Sequence, residues 1–262
     1  MAFSIPKRPH SVKEMGGSKF VGTHDIIKLL VWNVYKGRHR EKWAKDFLTL
    51  SADKDLILLQ EALDDGWMPN IWLQHHPEYH WKMATSFSYR KNNNGVATGS
   101  RFQASFIDFL RGTERELFFL TPKVSLASKY KLTNSKLKQK EHELLVINTH
   151  VVNFTTTAAF IRFVEELTSM VQDHTGPLII AGDFNTWNFK RWFHLLRILA
   201  QLDIKPVAFD EDSRVLKLDH VFTRGFRVCK ANIHHQIFSS DHYPIEVWLE
   251  LEGPLDTDPD KK

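Results

Sequence analysis

Apolar residues occur along the chain in short runs that are separated by amphipathic or polar segments. Six runs of strand-like length are rich in apolar residues and predict β-strands, and several of them are almost continuously apolar, which suggests burial on both faces. They span residues 27–34, 55–60, 144–152, 177–184, 221–226 and 245–251. Three further runs, at 95–102, 104–110 and 117–132, predict additional strands that can pair antiparallel.

The amphipathic segments predict three helices. In residues 155–174 the apolar side chains recur at helical spacing, which places them on one helical face. This face comprises Phe160, Phe163, Val164, Leu167 and Val171. A second helix is predicted over 188–202, where Asn188 is a suitable N-cap, and a third over 39–50.

No linker-like segment separates two complete hydrophobic sets, so we expect a single domain. Strands with interspersed helices predict an α/β fold in which sheets pack face to face and helices flank them. The domain is expected over 26–252, after a partly ordered extension at 1–25 and before a polar tail at 253–262. The Asn- and Gly-rich stretch 86–99 predicts a loop, and the charged stretch 131–143 predicts a flexible hairpin tip.

The composition is that of an ordinary globular protein, with 42% hydrophobic and 25% charged residues among 262. The 35 Lys and Arg exceed the 31 Asp and Glu slightly, which is compatible with a phosphate-rich partner. The single cysteine, Cys229, excludes an intramolecular disulfide and a multi-cysteine zinc site. Because no apolar run has bilayer length and the N-terminus lacks the apolar core of a signal peptide, we expect a cytoplasmic protein without integral membrane association.

Polar residues of the types that act in catalysis and metal binding lie at the ends of the predicted strands. Each has an ordinary structural interpretation when it is taken alone, as a turn residue or a hydrogen-bonded core residue. The set is Asn33, Glu61, His150, Asp183, Asn185, Asp219, Asp241 and His242. Together, carboxylates, histidines and amides are what hydrolysis of a phosphate ester with a divalent metal requires, since oxygen ligands suit Mg²⁺ or Mn²⁺.

The motifs that contain these residues resemble a known superfamily. In chain order they are LVWNVYK, LLQEA, NTHVVNF, GDFN, LDHVF and SDHYP, between residue 28 and about residue 250. This combination is similar to the endonuclease/exonuclease/phosphatase superfamily, whose fold is like that of deoxyribonuclease I, and finer details resemble its bacterial YafD branch. The resemblance implies a four-layer α/β sandwich, in which two facing mixed β-sheets are flanked by helices.

The resemblance also implies a metal site and assigns its residues. Glu61 matches the main metal-binding glutamate of the superfamily, and Asn33 matches the asparagine that supports the metal and the phosphate. Asp241 matches the metal-proximal aspartate of the SDH motif. The expected cofactor is therefore Mg²⁺ or Mn²⁺, held by Glu61, Asn33 and Asp241.

The catalytic set that the resemblance implies is His150, Asp183, Asn185, Asp219 and His242. Asp183 and Asn185 match the pair that orients the attacking water and binds the phosphate. His242 matches the catalytic histidine and Asp219 its orienting carboxylate, while His150 matches a second histidine at the phosphate. Asp183 and His242 both stay open as the general base.

The expected activity is a metal-dependent hydrolysis of phosphate esters by in-line attack of an activated water. Nucleic acid is the favoured substrate, because Lys190, Arg191 and Trp192 directly follow the GDFN motif and Arg90 lies in the basic segment 88–94. The alternative is a phosphodiesterase or phosphatase that acts on a phospholipid head group or a small phosphorylated metabolite. A monomer is expected.

Two other interpretations of the sequence are weaker. A lipid-directed enzyme would carry an exposed apolar hairpin beside the site, and the single candidate, 116–122, is explained more simply by a buried strand. A binding module with an inactive site would have no reason to retain Glu61, Asp183, Asp241 and His242 together. The retained set therefore favours an enzyme.

Overall fold

The computed structural model describes residues 3–17, 25–116, 121–133 and 141–252. Within these ranges the chain forms two β-sheets. Numbered in chain order, the strands are β1 (Phe3–Ser4), β2 (Val12–Gly16), β3 (Ile26–Asn33), β4 (Leu56–Asp64), β5 (His80–Tyr89), β6 (Asn92–Ser100), β7 (Ala104–Arg111), β8 (Val124–Thr133), β9 (Glu141–His150), β10 (Leu178–Asp183), β11 (Lys205–Pro206), β12 (Asp219–Arg224), β13 (Phe226–Ile233) and β14 (Ile245–Leu251).

Both sheets are mixed. The larger sheet has the strand order β1-β5-β6-β4-β3-β14-β13, with β2 also paired to β5, and its β3 and β4 are parallel. The smaller sheet has the order β11-β12-β10-β9-β8-β7, and its β9 and β10 are parallel. The parallel pair in each sheet brings two carboxyl-terminal strand ends to the same edge.

In the part of the chain that the structure describes, four α-helices cover the outer faces of the two sheets. They are α1 (Arg40–Ser51), α2 (Trp67–His75), α3 (Thr157–Ser169) and α4 (Phe189–Ala200). Helices α1 and α2 pack on the larger sheet, while α3 and α4 pack on the smaller one. The predicted four-layer α/β sandwich is confirmed. None of the helices in the described ranges has the length and apolar character needed to cross a bilayer.

Strand β3 shows why the central strands are continuously apolar. Leu29 and Val31 contribute to the core between the two sheets, whereas Leu30 and Trp32 contribute to the core beneath α1 and α2. All four are at most 1% exposed. Since burying one large apolar side chain stabilises the fold by about 1.5–3 kcal/mol, both faces of the strand hold the layers together.

The predicted helices exist, although their ends differ slightly from the expectation. Helix α3 begins and ends inside the predicted range 155–174, and α4 begins directly after Asn188, whose side chain accepts a hydrogen bond from the Arg191 amide as an N-cap. Helix α2 was not expected from the sequence. Its Pro69 lies in the first helical turn, where the backbone N–H has no intrahelical partner and its loss costs little.

The loop expected at 86–99 is wrong. Strands β5 and β6 occupy almost all of this stretch and join through a tight turn at Arg90 and Lys91. Both turn residues adopt the left-handed conformation, with φ of 48° and 71°. Asn and Gly indicate turns by composition, but here the Asn and Gly residues lie in a paired strand, where Gly95 permits a close approach to the Ala84 carbonyl.

Several of the remaining expectations concern residues outside the described ranges. Residues 1–2, 18–24, 117–120, 134–140 and 253–262, which include the polar tail and parts of the expected strand 117–132 and hairpin tip 131–143, lie outside the described residues. Among the described residues of 117–132, the strand starts at Val124. Ahead of residue 26, both β1 and β2 pair with β5 in the larger sheet.

Candidate active site

Three of the expected residues lie side by side at the ends of neighbouring strands of the smaller sheet, where they form a row. Asp183 ends β10 and is directly opposite both His150 on β9 and Asp219 on β12. Directly opposed residues of neighbouring strands project from the same face, so their side chains are adjacent. His150 Nε2 lies 3.3 Å from Asp183 Oδ2, and all three residues are at most 5% exposed.

Burial controls the protonation of this row. Burial raises the pKa of Asp183 to about 7, and the negative charge of Asp219 acts in the same direction. Burial also holds the pKa of His150 well below its usual range, and the positive charges of Lys123 and His242 add to this effect. Asp183 can therefore exchange a proton near neutral pH, while His150 is a neutral imidazole.

His242 contacts the row from a loop that precedes β14. Its Nδ1 lies 2.7 Å from Asp219 Oδ2. Burial opposes protonation of the ring, but the charge of Asp219 and the hydrogen bond to it outweigh burial and raise the pKa of His242 to about 10. His242 is therefore an imidazolium whose Nε2–H can face a substrate.

Two hydrogen bonds attach the His242 loop to the end of β3. The Trp32 indole donates to the His242 carbonyl at 3.0 Å, and the Ser240 hydroxyl donates to the Asn33 carbonyl at 2.6 Å. Asp241, between Ser240 and His242, is exposed. The loop therefore holds a partly buried histidine and an exposed carboxylate next to each other at the open side of the site.

The larger sheet contributes Asn33 and Glu61 from its parallel strands. Asn33 Nδ2 donates to Asp183 Oδ2 at 3.0 Å, so this amide connects the two sheets. Glu61 lies at a bulge of β4, where its φ of 53° turns the side chain out of the regular alternation. Lys36 Nζ lies 2.8 Å from Glu61 Oε2. Burial opposes ionisation of Glu61, but Lys36 and then Lys123 outweigh it and lower the pKa of Glu61.

A buried pair of amide side chains, which was not predicted from the sequence, connects the larger sheet to the smaller one. Gln60 Nε2 donates to Asn148 Oδ1 at 2.7 Å, and Asn148 Nδ2 donates to the Leu59 carbonyl at 3.2 Å. A Cβ at Gly182 would lie 2.0 Å from the Thr149 carbonyl oxygen and 3.1 Å from Gln60 Nε2, so the absence of a side chain permits the contact. Polar residues inside the LLQEA and NTH strands were the signal that could have found this pair.

Asn185 supports the row from the turn after β10. Its φ is 50°, and its backbone N–H donates to Asp183 Oδ1 at 3.0 Å. Its side-chain Nδ2 donates to the Val151 carbonyl at 2.9 Å. The turn therefore fixes the Asp183 carboxylate and holds the Asn185 side chain beside it.

The donor set is suitable for a divalent cation. One carboxylate oxygen of Asp183 and one of Asp219 lie within 4.8 Å of each other, and the protonated His242 ring beside them provides no ligand. Among the described residues, the buried Asp219 Oδ1 has no hydrogen-bond partner. Of the ligands expected from the sequence, Glu61 is paired with Lys36 and the Asn33 amide with Asp183, while Asp241 is exposed. Carboxylate oxygens of this kind are the ligands that Mg²⁺ and Mn²⁺ prefer.

The residues expected to contact a substrate lie in different environments. Arg90 is exposed in the β5–β6 turn, Lys190 is exposed on α4, and Trp192 is partly buried. Arg191 is 0% exposed and donates to the carbonyls of Val152, Asn185 and Thr155. Its guanidinium therefore holds the chain around Asn185 in place, which differs from the substrate contact expected from the sequence.

Two lysines of the site had no assigned role in the sequence reasoning. Lys36 belongs to the LVWNVYK motif and pairs with Glu61. Lys123 directly precedes β8, its Nζ lies 3.2 Å from Glu116 Oε1, and its charge acts on Glu61, His150 and Asp183. No local sequence pattern marks Lys123, because the tertiary fold alone brings it to the site.

Comparisons with known proteins agree with this fold. The Endonuclease/Exonuclease/phosphatase family matches residues 30–242. A UPF0294 protein of Vibrio parahaemolyticus serotype O3:K6 is 31% identical over an alignment of 268 positions, gaps included, that covers 95% of this chain and 91% of that protein. The human Nocturnin catalytic domain with bound sulfate superposes with a TM-score of 0.64 at 16% identity, covering 92% of this chain and 97% of that one. TDP2 of D. rerio, complexed with a single-strand DNA product, gives a TM-score of 0.60 at 11% identity, covering 87% and 100%.

The family match spans the segments that carry the site. It runs from β3, which ends at Asn33, to His242, and it therefore includes Glu61 and Asp183. The two structures share the fold, and the Vibrio relative extends the similarity over nearly the whole chain. The resemblance inferred from the motifs is confirmed. The chain belongs to the endonuclease/exonuclease/phosphatase family, and it is a hydrolase of phosphate esters.

Proposed function

We propose that this chain is a divalent-metal-dependent phosphodiesterase that cleaves nucleic acid by in-line attack of water. The observation that carries this proposal is the buried row of His150, Asp183 and Asp219 with the His242 imidazolium against it. The basic excess of the chain and the single-strand DNA product in the similar TDP2 structure support nucleic acid as the substrate. A monomeric state and a cytoplasmic location stay predictions.

The metal would be held at the open side of the site. Glu61, Asn33 and Asp241 are the proposed ligands, and Asn33 also donates a hydrogen bond to Asp183 of the row. A bound Mg²⁺ or Mn²⁺ supplies neutralisation of the charge that develops on the phosphate oxygens. When the cation binds Glu61, the ammonium group of Lys36 would leave Glu61 and contact the phosphate instead. The Lys36 side chain is flexible and exposed, so it can move between the two partners.

Asp183, His242 and His150 would have different roles, which follow from their protonation states. Asp183, held by the Asn185 amide, orients the water and accepts its proton, for which a pKa of about 7 is well suited. His242 is already protonated, because its pKa is raised to about 10, so it donates hydrogen bonds to the phosphate. This difference favours Asp183 over His242 as the general base. The neutral His150 binds another phosphate oxygen.

A substrate panel tests the proposal. The purified protein with Mg²⁺ or Mn²⁺ is incubated with plasmid DNA, single-stranded DNA, RNA, bis-p-nitrophenyl phosphate, phospholipids and sugar phosphates. We expect hydrolysis of a nucleic acid strand, and we expect the Asp183→Ala protein, purified identically, to have lost it. Hydrolysis of phospholipid or sugar phosphate alone would establish the alternative function, and equal activity of the Asp183→Ala protein would reveal a contaminant.

A further inference from the structure

Among the described residues, a buried arginine that contacts the turn after β10 has no acidic partner. Arg191 lies in the first turn of α4 and is 0% exposed. Burial lowers the pKa of Arg191 to about 10, so the guanidinium is still a cation near neutral pH. A buried charge without a counterion is costly unless hydrogen bonds compensate for it. The Arg191 charge therefore has to be stabilised by backbone carbonyls and aromatic rings.

The Arg191 guanidinium joins the chain segments that follow two strands of the row. Its Nη1 donates to the Val152 carbonyl at 3.2 Å and to the Asn185 carbonyl at 3.0 Å, and its Nη2 donates to the Thr155 carbonyl at 2.8 Å. The first and third of these carbonyls follow β9, which ends at His150, whereas the second lies in the turn after β10. Because the donors of a guanidinium form a rigid planar fork, they hold these carbonyls in a fixed arrangement. One side chain therefore connects the ends of β9 and β10.

The guanidinium is itself held from several directions. It lies 4.9 Å from the centroid of the Phe160 ring on α3 and 4.8 Å from the centroid of the Trp187 ring, both of which are cation–π contacts. The backbone N–H of Arg191 donates to the Asn188 side chain at 2.9 Å, which fixes the start of α4. Since any rotation of the side chain would leave a buried charge without partners, Arg191 is a rigid connection.

Asn185 depends on this connection more than the other partners do. Its φ of 50° is a left-handed conformation, which the surrounding contacts must stabilise. Its N–H donates to Asp183 Oδ1 and its side chain donates to the Val151 carbonyl, so the Asn185 carbonyl is the remaining polar group of the residue. Arg191 binds that carbonyl. The position of the Asn185 side chain beside Asp183 is therefore set in part by Arg191.

We propose that Arg191 is a positioning residue for phosphate-ester hydrolysis, which holds Asn185 and the segment after His150 in their places without touching the substrate. The inference rests on the proposed function in one respect, the role of Asn185 in orienting the water and binding the phosphate. A displacement of a reacting group by about 1 Å can lower the rate by about 10²-fold. Loss of the guanidinium should therefore lower kcat beyond what its effect on stability explains.

The test compares Arg191 with a second arginine that has the same kind of partners. Arg224 donates to the Leu202 carbonyl at 3.0 Å and to the Gly176 carbonyl at 3.2 Å. It ends β12, whereas Asp219 begins that strand, so Arg224 lies at the opposite end of the strand from the site. Arg191→Met and Arg224→Met each remove a guanidinium from backbone carbonyls. We expect both to lower the midpoint of thermal unfolding.

Turnover should separate the two variants. We measure kcat and KM for bis-p-nitrophenyl phosphate at saturating Mg²⁺, so the assay does not depend on nucleic acid being the substrate. We expect Arg191→Met to lower kcat about tenfold or more, with a smaller change in KM, and Arg224→Met to leave both unchanged. Arg191→Lys keeps the charge but lacks the planar fork, so its kcat should lie between those of the wild type and Arg191→Met. It also provides a second variant if Arg191→Met does not fold.

A double-mutant cycle shows whether Arg191 acts through Asn185. Asn185→Ala should lower kcat, and adding Arg191→Met to it should lower kcat much less than Arg191→Met does in the wild type, because the two residues are coupled. If Arg191→Met lowers kcat equally with and without Asn185, or if Arg224→Met loses as much turnover, the positioning role is disproved and the phosphodiesterase stands. A change in KM alone also disproves it. If Asn185→Ala retains the wild-type kcat, the proposed role of Asn185 and the positioning role fail together.

Discussion

The two sheets contribute to the site in different ways. The smaller sheet supplies His150, Asp183 and Asp219 from regular strand ends, in register and almost inaccessible to solvent. The larger sheet supplies Glu61 from a bulge with a left-handed backbone, and the loop before β14 supplies an exposed Asp241. One half of the site is thus a rigid buried row, and the other is an irregular, more open edge.

The difference indicates that the two parts of the site have different functions. Burial shifts protonation equilibria strongly, so the buried row is where a carboxyl can reach a pKa of about 7. An ionised carboxylate such as Glu61 needs a positive partner, which Lys36 provides here and a divalent cation can provide when it binds. We therefore expect substitutions in the buried half to change turnover and substitutions in the open half to change the metal requirement.

The largest effect is expected for Asp183→Asn. The amide is close in size but cannot accept the proton of the attacking water, so turnover should fall about 10³-fold or more at saturating metal. The free energy of unfolding should not decrease by a comparable amount, because the variant removes a buried ionisable group. Steady-state kinetics and thermal unfolding measure the two quantities. Turnover within tenfold of the wild type would show that Asp183 is not the base.

Asp219→Asn should have the next largest effect. Loss of the Asp219 charge removes the strongest effect that opposes burial at His242 and leaves the weaker effects of Asp183 and Asp241, so the pKa of His242 should fall from about 10 and the imidazolium should deprotonate at lower pH. Turnover should fall about 10²-fold. NMR titration of the His242 ring in metal-free protein checks the pKa directly. An unchanged titration curve would contradict the role of Asp219, even if activity were lost.

Glu61→Gln should act on the metal rather than on the chemistry. Removal of the carboxylate charge should raise the Mg²⁺ concentration for half-maximal activity about tenfold, with a smaller loss of turnover once Mg²⁺ saturates. Glu78→Gln is a suitable control, because the Glu78 side chain is 50% exposed elsewhere on the surface. A loss of turnover that no Mg²⁺ concentration restores would assign Glu61 to the chemical step and remove the proposed division between the halves.

The sequence predicted the residues at strand ends better than their arrangement. Continuous apolar runs marked β3, β4, β9 and β10, because these strands are buried on both faces. That His150, Asp183 and Asp219 are directly opposed depends on strand order and register, which are set by pairing between distant segments. The local sequence pattern therefore identified the individual residues, whereas only the fold shows that they lie side by side as a row.

Arg191 and Lys123 show where local reasoning reaches its limit. In the segment NFKRWFHLLR, Arg191 has the appearance of an exposed basic residue on an amphipathic helix. Its burial results from contacts with Phe160 of α3 and with carbonyls of the loop after β9, which come from elsewhere in the chain. Lys123 is likewise brought to Glu61 and His150 by tertiary structure alone.

The smallest expected effect tests whether the two halves depend on each other. Gln60→Ala removes the donor to Asn148 and leaves a buried amide oxygen unpaired, so the free energy of unfolding should decrease by about 1–3 kcal/mol. Turnover should also fall, by up to about tenfold, because Glu61 is no longer held at a fixed distance from the row. Ser125→Ala is the matched control, since it breaks a buried hydrogen bond to Thr149 within the smaller sheet and does not connect the sheets. If both variants lose stability and turnover in the same proportion, Gln60 only supports the fold; if only Gln60→Ala loses turnover, the amide pair aligns the buried row with the open edge.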